Sequence, residues 1–177
     1  MKPIKIIVAM DEDHGIGKEG TLAWHIPSDL KRFKEITTSV SYPSKKNAVI
    51  MGRRTWDSLP ENRRPLPWRV NVVLSKQPQK HSFPVGVLVH TDLWDAYEKL
   101  DKDPNIENIF VIGGSSVFES VLKDAKKRYT AIYVTKVEGK FGCDVFFPPI
   151  PSAKKEPVLS DYISENGISF QYIDYSY

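Results

Sequence analysis

An α/β fold built on a mostly parallel sheet follows from three features of the chain. Short, nearly unbroken apolar runs at residues 4–10, 48–51 and 109–112 read as strands buried on both faces. Segments with helical apolar spacing lie between such runs, so crossover helices cover the sheet on both sides. Near the C-terminus, Asn166-Gly167 stands between alternating apolar and polar residues, the signature of a tight hairpin and of antiparallel strands at one edge. The predicted architecture has three layers: helices, a central sheet, and helices again.

Each element has its own local reason. Residues 4–10 form the first strand. Residues 11–25 form a long loop punctuated by Gly15, Gly17 and Gly20, of a length that suits a lid or binding loop. Pro27 opens a helix, because its fixed φ and missing N–H suit a first turn, with Ser28 or Asp29 available as a cap. Ile26, Leu30, Phe33, Thr37 and Val40 recur at helical spacing and define its buried face, while Lys31, Arg32, Lys34 and Glu35 point the other way. Asp29 falls inside the apolar arc, between the directions of Ile36 and Phe33. A carboxylate aimed there is costly unless something uses or satisfies it. It is either a first-turn acid that favours the helix dipole or an acid directed into a cleft.

A second strand at 48–51 leads into a turn and short helix at 52–59, then an irregular proline-rich loop at 60–69. Strands follow at 70–75 and 86–91. Thr91 or Asp92 caps a helix through Trp94, Tyr97 and Leu100. The strand at 109–112 ends at Gly113-Gly114, and the next helix carries Val117, Phe118, Val121, Leu122 and Ala125 on one face. An aromatic and β-branched strand at 129–137 precedes the hairpin. No repeat, low-complexity segment or linker interrupts the chain, so a single domain over residues 1–177 is expected.

Composition narrows the class. The chain has 177 residues, 41% hydrophobic and 27% charged, a length sufficient for one well-buried core. The single cysteine, Cys143, excludes an internal disulfide and fits a reducing compartment. No signal-like or membrane-spanning apolar segment is present, so a cytoplasmic protein without membrane contact is expected. The net charge of +3 is spread over separated basic pairs, which argues against a nucleic-acid partner and fits a small polyanion better.

Gly15-Ile16-Gly17-Lys18-Glu19-Gly20 matches the dinucleotide fingerprint in letters only. No helix opens after it, and Asp11, Glu12 and Asp13 would repel phosphate, so glycine-hinged mobility is the better account. Gly113-Gly114-Ser115-Ser116-Val117 sits where a buried strand ends and a helix begins. It is either an anion site or a tight turn with a serine cap. Gly52-Arg53-Arg54-Thr55 occupies a similar position, where two arginines oppose the helix dipole unless an anion is shared. Ser75-Lys76 ends a third strand. Together these strand ends resemble a cradle for a cofactor with several phosphates. Arg69 has the fork that grips a carboxylate, although spacing alone leaves it a solvated strand-start arginine. The four histidines show no ligand spacing, no metal motif appears, and no nucleophile has a base.

Taken together, several stretches resemble dihydrofolate reductases. They are Ile16-Gly17, Leu22-Ala23-Trp24-His25-Ile26-Pro27-Ser28-Asp29-Leu30, Val49-Ile50-Met51-Gly52-Arg53-Arg54-Thr55-Trp56, Arg64-Pro65-Leu66-Pro67, Arg69-Val70-Asn71, Ile112-Gly113-Gly114-Ser115-Ser116-Val117 and Asp144-Val145-Phe146-Phe147-Pro148. Their order and spacing match over essentially the whole chain.

The resemblance implies an eight-stranded, mostly parallel sheet and NADPH-dependent reduction of 7,8-dihydrofolate to tetrahydrofolate in one-carbon metabolism, with antifolates as inhibitors. Asp29 would hydrogen-bond the pterin and promote protonation at N5, supported by Thr135, with Trp24 holding a water nearby. Ile7, Val8, Leu30, Phe33, Leu59, Leu66, Ile112 and Phe118 would form the substrate pocket. Arg69 would clamp the glutamate α-carboxylate, against the reading from spacing. The cofactor would meet Ala9, Ile16, Gly17, Gly52, Arg53, Arg54, Thr55, Leu74, Ser75, Lys76, Ile112, Phe118 and the turn from Gly113 through Gly114, Ser115 and Ser116 to Val117, with an unusual cis bond between the two glycines. Such proteins stand alone as monomers or fused ahead of thymidylate synthase. Two departures are visible: Ala23 replaces a common proline, and Phe118 a common tyrosine.

The required chemistry agrees with the residues. Reducing a C=N bond needs a hydride and one proton, which a single acid in an apolar pocket can manage without a metal or nucleophile. Two rivals remain at this point. One is a pyrimidine reductase of riboflavin synthesis with the same architecture, and the other a non-catalytic nucleotide-binding module.

Overall fold

The computed structural model describes residues 1–177. In chain order the elements are β1 (Ile4–Met10), β2 (Gly15–Gly17), α1 (Pro27–Thr38), β3 (Lys46–Gly52), α2 (Arg53–Ser58), β4 (Arg69–Leu74), β5 (Leu88–His90) and α3 (Leu93–Lys102). Then come β6 (Ile106–Gly113), α4 (Ser115–Leu122), β7 (Tyr129–Val137), β8 (Val145–Phe146), β9 (Val158–Leu159), β10 (Ile163–Glu165) and β11 (Ile168–Ser176). The main sheet runs β10-β11-β7-β1-β6-β3-β4-β5, eight strands with short β9 added against β11. From β7 to β5 all pairs are parallel, and β11 is antiparallel to β7, β9 and β10. No helix is long and apolar enough to cross a membrane.

Strand residues alternate between two buried faces, which is why the strands read as continuous apolar runs. Ile4, Ile6, Val8, Ala48, Ile50, Val72, Ile109, Val111, Ile132 and Val134 form one core with α3 and α4. Ile7, Val49, Met51, Val73 and Phe110 form the other, against Trp56, Leu66 and the α1 residues Phe33 and Ile36. At the C-terminal edge, Asn166 (φ 52°) and Gly167 (φ 74°) make the expected hairpin turn between β10 and β11.

The helix ends depart from expectation in two places and sharpen it in another. Neither Ser28 nor Asp29 caps α1. Ile26 takes the cap position in extended geometry, and its carbonyl accepts from the amides of Asp29 (3.1 Å) and Leu30 (3.2 Å). With Pro27 in the first turn the boundary moves back one residue, which frees the Asp29 carboxyl for a different partner. For α3, Asp92 is the cap, its carboxylate accepting from the Trp94 and Asp95 amides at 2.8 and 3.0 Å. The other end of α3 is closed by Lys2, whose ammonium donates to the carbonyls of Leu100 (3.1 Å), Asp103 (2.9 Å) and Asp101. α4 stops at Leu122, so Ala125 lies beyond it rather than on its face.

Asp92→Ala is expected to lower stability by about 1 kcal/mol, the usual cost of losing a cap, or roughly 2–4 °C in Tm for a domain of this size. Urea unfolding checks this, and an unchanged midpoint would show the cap to be idle.

Candidate active site

The first turn of α1 lies over β7. There Thr135 Oγ1 donates to Asp29 Oδ1 at 2.5 Å. In the parallel β1–β7 pair Thr135 is the Cα partner of Ala9, one residue from the carboxyl end of β1. Burial pushes the Asp29 carboxyl above the ordinary carboxylate range, outweighing the Thr135 hydrogen bond and the charge of Arg32, both of which lower it. Trp24 is buried nearby with Ile26, Val137 and Phe170, edge-on to Phe141 at 5.2 Å, and its indole N–H is buried without a protein partner.

An apolar wall extends from this acid along the same sheet face. Ile7, Phe33, Leu59, Leu66 and Ile112 belong to one cluster, with Leu30 half-buried on α1. Val8 and Phe118 do not share that wall. Both side chains lie in the core on the opposite face, Phe118 edge-on to Phe147 at 4.9 Å. Strand alternation sends neighbouring residues to opposite faces, so Val8 offers this side only its backbone.

At the far end of the wall stands Arg69. It is not solvated surface: it is 8% exposed, and burial pushes its guanidinium down to about 10. Its Nη1 donates to Thr37 Oγ1 at 2.9 Å and its Nε to the Pro67 carbonyl at 2.8 Å. The guanidinium stands 5.8 Å from the Phe33 ring centre. It makes no ion pair. A buried cation with only neutral partners is costly, and a carboxylate placed there would relieve it.

Three adjacent strand ends make the second half of the site. Met51 is partnered with Gly113, and Gly52 with Leu74, so the ends of β6, β3 and β4 stand side by side. The Gly113–Gly114 bond is cis. A Cβ at Gly113 would meet Thr55 Oγ1 at 3.0 Å, at φ 139°, so glycine is needed for the approach of the two turns. Arg54 and Lys76 stand exposed and unpaired beside this shelf, and Ser75 is buried at its edge. Arg53 differs, since Asp57 holds its guanidinium at 2.5 Å. Ser115 also has a partner, its hydroxyl donating to the Phe146 carbonyl at 2.6 Å, while Ser116 is exposed and Val117 packs inward. Glycines that allow close backbone approach, beside free cations, fit a phosphate-bearing dinucleotide.

The loop at 11–25 is more ordered than its sequence implies. Gly15 and Gly17 pair with Phe146 and Val145 in the two-stranded β2–β8 ladder, with Ile16 packed on the core. Residues 3–176 match the family model described as dihydrofolate reductase. The chain belongs to the dihydrofolate reductase family. It is 42% identical over 177 residues to the dihydrofolate reductase of Drosophila melanogaster, covering 97% of this chain and 96% of that one. The Aedes albopictus dihydrofolate reductase is 38% identical over 180 residues, with the same coverage of each chain, 97% and 96%. A bifunctional dihydrofolate reductase-thymidylate synthase of Zea mays is 39% identical over 176 residues, covering 97% of this chain and 33% of the longer protein.

In this member of the dihydrofolate reductase family, two residues that shape the candidate site leave only a weak trace in sequence patterns. Asp11, 2% exposed, organises the loop by accepting from the amides of Gly15 (2.7 Å), Asp13 (3.0 Å) and Phe141 (3.1 Å). Asn71 pins the Leu66 backbone, accepting from its amide at 2.8 Å and donating to its carbonyl at 2.9 Å, which holds the loop leading to Arg69. An aspartate four residues before a glycine, and an asparagine inside an apolar strand, are the faint signals that were available.

The raised Asp29 carboxyl has a consequence for stability. In the unfolded chain it ionises in the ordinary range, so the folded state holds more protons between the unfolded and folded pKa values. Stability therefore falls as pH rises through that window, and the full cost is present above it. Asp29→Asn keeps an oxygen for Thr135 and removes the buried charge. Its Tm is expected to exceed wild type near neutral pH, with the gap closing as pH falls below the ordinary carboxylate range. Equal melting points at neutral pH would refute the burial cost.

Proposed function

We propose that this chain reduces 7,8-dihydrofolate to 5,6,7,8-tetrahydrofolate, using NADPH as hydride donor. The observation that carries the reading is a matched pair on one apolar wall: a half-buried acid at one end and a buried arginine without a counter-ion at the other. A substrate with a polar heterocycle, an aromatic middle and a terminal carboxylate satisfies both ends and covers the wall between them.

The residues act in sequence along that substrate. Arg69 takes the terminal carboxylate through its free guanidinium edge, and the Thr37 and Pro67 contacts hold the fork in place. Phe33, Leu59 and Leu66 exclude water from the middle. Asp29, kept protonated more readily by burial and oriented by Thr135, promotes proton delivery to N5 of the heterocycle. The buried Trp24 N–H fits a water that relays toward the same place. On the other side, Arg54, Lys76, Ser75 and the Gly52 and Gly113-Gly114 turns fit the cofactor's phosphates, and the two free cations fit the extra phosphate that separates NADPH from NADH. When bound, the dinucleotide supplies the hydride.

Loss of reduced-nicotinamide absorbance tests the reading directly. Consumption is expected to require dihydrofolate and to favour NADPH over NADH; binding of NADPH without consumption would overturn the reaction while leaving the cofactor cradle. Asp29→Asn is expected to cut turnover by roughly 10²–10⁴, the usual worth of a positioned proton donor. For Arg69→Ala, folate binding is expected to weaken by about 1.5–3 kcal/mol, the range for hydrogen bonds to a charged group. Calorimetric titration showing normal affinity would remove Arg69 from the site.

A further inference from the structure

Arg32 was expected on the solvent face of α1, and it is not there. Its side chain is 16% exposed, its Nη2 donates to Asp174 Oδ1 at 2.6 Å, and its guanidinium lies 4.2 Å from the ring centre of Tyr172. Tyr172 and Asp174 sit on β11 opposite Thr135 and Tyr133 of β7, and alternate residues of a strand share a face. One helix therefore spans one face of the β7–β11 pair, with Asp29 over Thr135 and Arg32, three residues on, over Tyr172 and Asp174. Positions three apart are neighbours on a helix surface.

We propose that the Arg32–Asp174 pair is a positioning and charge-setting device for Asp29, fixing the pH range over which that carboxyl delivers its proton. Arg32 favours the ionised form of Asp29 through space, and Asp174 restrains that effect by holding the guanidinium toward itself. The remaining titratable neighbours are accounted for. Tyr133 and Tyr172 are pushed up by burial and stay neutral, and Glu165 of β10 accepts the Ser28 amide at 3.2 Å. Since Arg32 is largely excluded from water, its field is screened less than that of a surface arginine. The two members of the pair therefore pull Asp29 in opposite directions, which a pair too distant or too screened to reach the carboxyl would not do.

The inference rests on Asp29 serving the proposed reduction, so its test reads the carboxyl and the reaction separately. Carbon-13 NMR follows the Asp29 carboxyl titration in the whole chain, and a pH–rate profile with NADPH and dihydrofolate follows turnover. Arg32→Gln is expected to move the titration upward and to raise the rate on the alkaline limb by roughly two- to tenfold, as for a partly screened neighbouring charge. Asp174→Asn is expected to move both the other way by a similar factor, Arg32→Lys to stay near wild type, and the Arg32→Gln/Asp174→Asn double variant to fall between the single ones. Shifts in the same direction, or none, would overturn the proposal. If Arg32→Gln does not fold, Asp174→Asn decides alone, and an unmoved titration overturns it. Opposed NMR shifts with an unmoved rate profile would uphold the charge setting and overturn the role of Asp29 in the reaction instead.

Discussion

Covering both faces of a parallel sheet leaves one place for polar chemistry, the edge where the strands end and their amides run out of partners. In this chain α1 closes one face and α3 with α4 the other, so Gly52, Ser75 and Gly113-Gly114 meet at that edge by topology rather than by any local preference. The pairing of Met51 with Gly113 and of Gly52 with Leu74 sets their spacing, and the lack of a side chain at Gly113 lets the β6 turn rest on Thr55. The proposed cradle for anions is then a by-product of closing the sheet. The cations left unpaired beside it are Arg54 and Lys76, whereas Arg53 is already occupied by Asp57.

The two charges on the α1 side are of a different kind, because the fold buries them at a cost. Asp29 would be more stable neutral, and Arg69 would be more stable opposite an acid, yet the protein gives each only neutral hydrogen-bond partners. A structure optimised for stability alone would replace both with apolar groups. On the proposed reading, their separation along one apolar wall assigns substrate affinity to the arginine and proton chemistry to the acid. The Arg32–Asp174 pair adds a further pair of charges beside the acid, joining α1 to β11.

Strands buried on both faces were legible because they write continuous apolar runs; residues 4–10 and 129–137 coincide with β1 and β7. The short strands β2 and β8 were not. Nothing local marks 15–17 or 145–146 as strands, since their order comes from pairing across the chain. Helical spacing correctly turned Phe33 inward, but it turned Arg32 outward, because its partner Asp174 lies 142 residues away. Arg69 looked solvated for the same reason: Thr37, which holds it, lies on another element. Periodicity reports which face is apolar, and it is silent about which charge finds a distant partner.

Contacts around the 11–25 loop join the two halves of the site. Gly15 lies so close to Cys143 that a Cβ there would stand 2.4 Å from the cysteine's own Cβ, so the loop can seat on segment 141–147 only with glycine at this position. Asp11 bonds across the same seam to the Phe141 amide, and the Glu19 amide donates to Asp144 Oδ2 at 2.9 Å. Phe146, paired with Gly15, gives its carbonyl to Ser115 at the start of α4. The loop beside Trp24 and Asp29 is thereby tied through one short segment to the helix beside Gly113-Gly114. A displacement at Ser115 must either break the 2.6 Å bond to Phe146 or carry β8, and with it β2, along. Order in the loop and order at the glycine turn are thus two readings of one set of contacts, which couples the Gly113-Gly114 edge to the side that carries Trp24 and Asp29.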